Sequence, residues 1–133
     1  MARQKPEPAD SNLTPAQLEI MNLFWERGEL GVAQAWRLLS EKRSVARNTV
    51  QTMLTRLAEK GWLYSRAEGN AFYFRAARPR KSVLRGMLGQ LVDTAFGGSA
   101  SGLVMELLKD RRLAPEEAER IRKMIDEAQE ATK

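Results

Sequence analysis

Apolar residues recur at intervals of three and four along residues 13–60, the spacing that lines one face of an α-helix. The first such stretch opens with a capping box. In this box Thr14 and Gln17 bond each other's backbone N–H groups, and Pro15 takes the first helical position. Gly28 follows the last apolar residues as a C-terminal stop. The pattern therefore predicts a first helix between Thr14 and Gly28.

Two more helices are predicted before the pattern changes. A short one follows Gly31 and ends at the polar residues 40–44. The other runs from about Ala46 to Lys60, with Gly61 as its C-terminal cap.

Beyond Gly61 the period becomes two, which is typical of strands. Leu63–Ala67 and Ala71–Ala76 are separated by turn-forming residues 68–70, so they are predicted to form an antiparallel hairpin. Three helices followed by a hairpin form the winged helix-turn-helix arrangement, in which the hairpin is the wing.

From residue 82 onwards the pattern is purely helical. Three amphipathic helices are predicted, interrupted at Gly97-Gly98-Ser99 and again before Pro115. Three short helices enclose little core of their own, so we expect their apolar faces to pack against a second copy of the chain. The residues predicted to form this dimerisation face are Leu84, Leu88, Leu91, Leu103, Leu107, Ile121 and Ile125.

The predicted fold class is mainly α (α+β), in three parts. Residues 1–12 carry prolines and charges without apolar periodicity and are expected to form a disordered head. Residues 13–81 form the winged-helix domain, and residues 82–133 form a C-terminal three-helix dimerisation domain.

The charge is unevenly distributed between these parts. Residues 1–81 hold 14 basic and 8 acidic side chains, whereas residues 82–133 hold 8 basic and 9 acidic ones. A basic first part is typical of domains that bind a polyanion such as nucleic acid. A solvated basic surface is the alternative.

The third predicted helix has polar residues on one side that suit the reading of DNA bases. Asn and Gln pair with adenine, and Thr offers a hydroxyl or a methyl contact to thymine. Exposed helix positions more often carry Glu, Lys or Ala, and this favours base reading over a merely solvated face. The predicted base-reading residues are Asn48, Thr49, Gln51, Thr52 and Arg56. The predicted contacts to the DNA backbone are Lys42, Arg43, Arg47, Lys60, Arg66 and Asn70, each of which has a plain surface role as its alternative.

Three tryptophans offer a second hypothesis, the stacking of single-stranded bases. Trp25 and Trp36 lie on the apolar faces of their helices, which favours core packing for both. Trp62, at the strand entrance, is predicted to pack as well.

The 133 residues contain neither His nor Cys, which excludes disulfides, thiolate or imidazole catalysis and metal sites built on Cys or His. With no Gly-rich phosphate loop and no spaced carboxylate pair, we expect a protein that is not an enzyme and needs no metal or cofactor. Apolar runs stay well short of the ~18 residues of a membrane span, and the N-terminus lacks a signal peptide. We therefore expect a soluble, cytoplasmic protein without membrane insertion, and the Arg- and Ala-rich usage favours a bacterial source.

A series of motifs carries a family resemblance. It begins with LTPAQLEIMNLFW from Leu13 to Trp25, continues with TVQTMLTRLAEKGWL and the strand FYF, and ends with Gly97-Gly98 and a Pro-Glu-Glu helix. In this order they resemble the penicillinase-repressor family, the BlaI/MecI type of bacterial transcriptional repressor. The resemblance covers nearly the whole chain after residue 12.

The resemblance implies a homodimer that binds an inverted-repeat operator of the TACA/TGTA type and blocks transcription, in a β-lactam or cell-envelope stress response. The family's base-reading positions correspond to Asn48, Thr49 and Thr52, with Arg56 in the Thr-Arg-Leu motif. Gln51 stands where relatives often have a basic residue, which implies a different operator sequence.

The resemblance also implies a partner and a cleavage region. In the best-known members a membrane sensor protease leads to cleavage of an Asn-Phe pair in the fifth helix. Glu106 and Leu107 occupy those positions here, a departure that argues against induction by the usual route. Copper-responsive relatives carry C-terminal cysteines, and this chain has none.

One alternative function remains open at this point. A winged-helix module can also bind protein through its third helix without reading DNA sequence. The two are distinguished by salt, because DNA binding weakens steeply as the salt concentration rises.

Overall fold

The computed structural model describes residues 13–131, so the predicted head at 1–12 lies outside the described residues. The described chain contains six helices and three strands. In chain order these are α1 (Pro15–Arg27), β1 (Leu30–Gly31), α2 (Val32–Ser40), α3 (Arg47–Glu59), β2 (Leu63–Glu68), β3 (Ala71–Ala76), α4 (Arg80–Ala95), α5 (Ala100–Asp110) and α6 (Pro115–Ala131). The fold is the predicted one, a mainly α chain whose first part is a winged helix-turn-helix.

Helix α1 begins and ends as its sequence predicts. The Gln17 N–H donates to Thr14 Oγ1 at 3.1 Å, and the Thr14 N–H donates to Gln17 Oε1 at 2.8 Å, which completes the capping box. Gly28 ends the helix with φ 84°, a left-handed conformation that favours glycine. Local sequence therefore fixes both ends of α1.

The sheet has one strand more than the predicted hairpin. Its order is β1-β3-β2 with antiparallel pairing throughout, and Ser65 and Leu30 both face Phe74. Strand β1 has only two residues, too few to show a period of two, so the sequence pattern missed it. It fastens the chain between α1 and α2 to the wing.

The core of the winged-helix part lies between the first three helices and the sheet. Helix α3 contributes Val50, Leu54 and Leu57, each at most 1% exposed. The largest fully buried side chains around them are Phe24, Ile20, Met21 and Leu63. Because α3 buries Val50, Leu54 and Leu57 here, its opposite face must lie towards solvent.

The tryptophans are placed differently from one another. Trp62 is buried, as predicted. Trp25 is half-buried, and its Nε1–H donates to the carbonyl of Arg78 at 2.9 Å. The prediction for Trp36 was wrong, because its side chain is 37% exposed and its Nε1–H donates to the carbonyl of Val45 at 2.8 Å. The indole N–H needs an acceptor, and the acceptor lies in the α2–α3 turn instead of in the core.

The chain divides into two compact units, one ending at Gly89 and the other beginning at Gln90. This division lies within α4, after the predicted domain limit at residues 81/82, because Val83 and Met87 pack with the first unit's core. The second unit contains the end of α4 together with α5 and α6. Neither α5 nor α6 has a buried residue, although both carry apolar side chains.

Over residues 13–131, each helix is either too short or too polar to cross a membrane.

We predict that Leu54→Ala lowers the free energy of unfolding by about 2–5 kcal/mol, since Leu54 is fully buried and the substitution leaves a cavity. Chemical denaturation at fixed protein concentration measures the change. Thr55→Ala, on the exposed side of the same helix, is the control and should change stability by less than about 0.5 kcal/mol. Equal losses in the two variants would contradict the placement of α3 on the core.

Candidate nucleic-acid interface

The polar side of α3 is exposed along its length. Asn48, Thr52 and Arg56 follow each other at intervals of four residues, so they form one row on the helix surface. Gln51 and Thr49 lie on either side of this row, and all five side chains are exposed. We call these five residues the reading face. The predicted base-reading residues thus share one surface, spread over roughly 160° of the helix circumference.

The start of α3 is favourable for an anion. Ala46 occupies the N-cap position, and no side chain caps the helix there in the described structure. The first turn holds no acidic residue and begins with Arg47. The N–H groups of a first turn and the helix dipole both favour negative charge nearby. This end of the reading face therefore suits a phosphate.

One polar side chain next to the reading face has a local partner. The Thr55 hydroxyl donates to the Gln51 carbonyl one turn earlier, at 2.9 Å. A hydroxyl that bonds its own helix still has lone pairs to offer but has used its proton. Thr55 is accordingly left out of the reading face.

Arg66, a predicted contact to the DNA backbone, is paired with carboxylates of its own chain. Its Nε–H and one Nη2–H donate to the two carboxylate oxygens of Glu29, at 2.8 and 2.7 Å. Its Nη1–H donates to Glu68 at 2.6 Å, and its guanidinium lies 4.8 Å from the centre of the Tyr73 ring. Two carboxylates therefore offset its one charge, and Arg66 joins the wing to the loop that follows α1.

This pairing shifts both groups towards their charged forms. The hydrogen bond from Arg66, with a smaller coulombic contribution, lowers the pKa of the Glu29 carboxyl below its ordinary value of 4.5. The hydrogen bonds to Glu29 and Glu68 raise the pKa of the Arg66 guanidinium. Both groups are exposed to solvent, so water screens the pair.

The other predicted contacts to the DNA backbone are all exposed, but they are not equally available to a phosphate. Arg43 forms an ion pair with Glu19 at 2.9 Å. Arg47 lies on the first turn of α3, and Asn70 lies in the turn of the wing. These two line the same cleft between α3 and the wing. The remaining two residues of the set are Lys42 and Lys60, which lie at the ends of α2 and α3.

Two clefts lie beside the reading face, and the sequence pattern predicts neither of them. One, of about 310 Å³, lies between Val32 at the start of α2, Gln51 of α3 and Phe72 of the wing. A neighbouring cleft of about 360 Å³ has the same three residues in its lining. Phe72, which lines both clefts, is not among the predicted site residues, and its side chain is 54% exposed. The signal available in the sequence was the alternation along the strand, which puts Phe72 on the same face as the buried Phe74.

The described residues contain no group of three or more Asp or Glu that could hold a metal ion.

Comparison with known proteins assigns the family. Residues 13–127 match the family described as penicillinase repressor. The chain belongs to the penicillinase repressor family. This confirms the resemblance to the BlaI/MecI type of transcriptional repressor that the sequence motifs carry.

Individual relatives show how far the similarity extends. The chain is 24% identical to the penicillinase repressor of Bacillus licheniformis, over 86% of this chain and 90% of that protein. It is 18% identical to the methicillin resistance regulatory protein MecI of Mammaliicoccus sciuri, over 86% of this chain and 93% of that one. The solution structure of the DNA-binding domain of the repressor BlaI superimposes with a TM-score of 0.50 and 28% identity, over 58% of this chain and 90% of that domain.

The pair at which the family resemblance implies a cleavage region lies inside a regular helix. Glu106 and Leu107 are exposed residues of α5, and Glu106 accepts a hydrogen bond from Lys109 at 3.1 Å. A protease needs an accessible, extended backbone, so α5 must open locally before cleavage at this pair.

We predict that Arg66→Met lowers the free energy of unfolding at neutral pH. The difference in this free energy between the variant and the wild type should become smaller below about pH 4.5. The folded-state pKa of Glu29 is lowered, so the stability from the pair is present above the unfolded-state pKa. It is lost as the pH falls through the folded-state value. Denaturation of both proteins between about pH 3 and pH 7 measures the narrowing.

Arg37→Met, on the exposed side of α2, is the matched control and should show no such pH dependence. Arg66→Met also tests whether Arg66 contacts DNA. If Arg66 contacted phosphate, its loss would lower the slope of log affinity against log salt by about 1. That result would contradict a purely internal role.

Proposed function

We propose that this protein is a sequence-specific DNA-binding repressor, which inserts α3 into the major groove of an inverted-repeat operator as a homodimer. The observation that carries this proposal is the reading face: five exposed polar residues on a helix whose other side is anchored in the core. An α-helix fits the major groove, where every base pair shows a distinct set of donors and acceptors.

The chemistry of the reading face suits base edges more than phosphates. Asn48 and Gln51 each carry an amide, which pairs with adenine through one donor and one acceptor. Thr49 and Thr52 each carry a hydroxyl and a methyl group, and the methyl group suits contact with thymine. Arg56 is the only cation among the five and reaches either guanine or a phosphate.

A homodimer is supported by the exposed apolar residues of the last three helices. In α5 and α6, Leu107 and Ile125 are 45% and 54% exposed, and neither helix buries a residue within the chain. Apolar surface of this extent is costly in water and is typical of an interface between subunits. The proposed dimerisation face is Leu84, Leu88, Leu91, Leu103, Leu107, Ile121 and Ile125.

Repression follows from occupancy in this proposal. A dimer on two half-sites covers the promoter and excludes the polymerase, and each bound half raises the effective concentration of the other at its half-site. The proposal contains no cleavage step, because Glu106-Leu107 replaces the family's Asn-Phe pair within an intact helix.

We predict that Asn48→Ala and Thr52→Ala each weaken operator binding by roughly 1–3 kcal/mol, whereas binding to random DNA changes little. Fluorescence anisotropy measures both affinities, with the duplex from upstream of the protein's own gene as the first operator to try. Asn22→Ala in α1, outside the reading face, is the control and should leave both affinities unchanged.

Two results would contradict this assignment. Equal losses on operator and random DNA would show that these side chains do not read sequence. Binding that does not weaken with salt would favour the alternative function, a protein-binding winged-helix module.

We predict that the double variant Leu107→Asp with Ile125→Asp is monomeric, because buried and unpaired carboxylates oppose association. Sedimentation or light scattering measures the mass, and operator affinity should fall towards that of a single half-site. Glu127→Ala, on the side of α6 away from Ile125, is the control. A dimer that persists in the double variant would show that the interface lies elsewhere on the chain.

A further inference from the structure

The two faces of the wing carry different side chains: cations stacked on aromatic rings on one face, and apolar residues on the other. On one face, Arg66 lies over Tyr73 and Arg75 lies over Tyr64, at 4.8 and 4.5 Å from the ring centres. The strand register puts these four residues together in two cross-strand pairs. The cations of this face are thus stacked on neighbouring rings, and Arg66 is also ion-paired.

The other face of the wing is apolar and continues into the core. Phe74, opposite Ser65, is 4% exposed, whereas Phe72, opposite Ala67, is 54% exposed. Alternation along a strand puts both rings on the same face, with Phe72 nearer the turn. The core therefore covers one ring and leaves the next one at the edge of the reading face.

Of the two clefts beside Phe72, the one nearer the turn of the wing has a composition that suits a polyanion, whereas Glu59 lines the other. The cleft nearer the turn of the wing is lined by Arg47 and by the amides of Gln34, Gln51 and Asn70, with no carboxylate. The Gln34 Oε1 accepts the Gly31 N–H at 2.9 Å, so its remaining polar group is an NH₂ donor. The cleft has a volume of about 310 Å³, which is enough for a sugar and its phosphate.

The position of this cleft identifies its occupant. When a helix lies in the major groove, a sugar–phosphate strand borders it on each side. The element beside α3 is the wing, and Gln51 belongs both to the reading face and to the cleft lining. If α3 enters the major groove, one of these two strands passes between α3 and the wing.

We propose that this cleft is the seat of one DNA backbone strand, with the Phe72 ring packed against a deoxyribose and Arg47 and Asn70 on the adjoining phosphate. This proposal rests on the proposed function, because it assumes that α3 enters the major groove. Phe72 contributes apolar contact to affinity and reads no base.

The test measures binding of the full chain to two duplexes of equal length, the operator duplex and one of mixed sequence, at several salt concentrations. Phe72→Ala should weaken binding to both duplexes by the same factor, roughly tenfold, because the loss of an apolar contact does not depend on sequence. The slope of log affinity against log salt should stay unchanged, whereas Arg47→Gln should lower it by about 1.

Tyr64→Ala is the matched control, an aromatic residue on the opposite face of the wing with a similar exposure of 42%. It should leave both affinities unchanged, and denaturation curves check that each variant is folded.

The outcomes separate this proposal from the function on which it rests. Loss on the operator alone would make Phe72 a base reader, and no loss on either duplex would leave the cleft empty of DNA. Either result overturns the proposal. A wild type that binds both duplexes equally would overturn the sequence-specific function. The effect of Phe72→Ala on the mixed duplex would still show whether DNA occupies the cleft. Binding to neither duplex would overturn both.

Discussion

The arrangement of the winged-helix part depends on the burial of one side of α3. Val50, Leu54 and Leu57 are removed from water almost completely, and burial of this kind is worth about 1.5–3 kcal/mol for each side chain. The rotation of α3 about its own axis is thereby fixed. Every polar residue opposite these three lies towards solvent as a consequence, so core packing and the reading face are two results of one constraint.

The distribution of paired charges sharpens this picture of the surface. Arg66 and Arg43 have carboxylate partners within the chain, while the first turn of α3 holds Arg47 and no acidic residue. A cation that is already paired gains less from a phosphate, because it must give up its partner first. Net charge alone therefore overstates how many basic side chains are available to DNA, and geometry identifies those that are.

Much of the fold could be predicted from the sequence, because its signals are local. The capping box at Thr14, the stop at Gly28 and the face of α3 each depend on residues within a few positions of one another. The position of these five polar residues on one exposed side of α3 was predicted for the same reason. Non-local partners could not be predicted in this way. The bond from Trp36 to Val45 and the pairing of Arg66 with Glu29 join residues that no helical or strand period relates.

The same distinction explains why Phe72 was missed. Alternation in the strand predicts that Phe72 and Phe74 share a face, but a period of two does not say where the core ends. That limit is set by the reach of α2 and α3 towards the wing, which leaves Val32 and Gln51 on the lining of an open cleft. An aromatic ring at the edge of a core costs free energy in water unless another surface covers it. Because the cleft continues from the reading face, the surface that reaches the reading face is the one positioned to cover Phe72 as well.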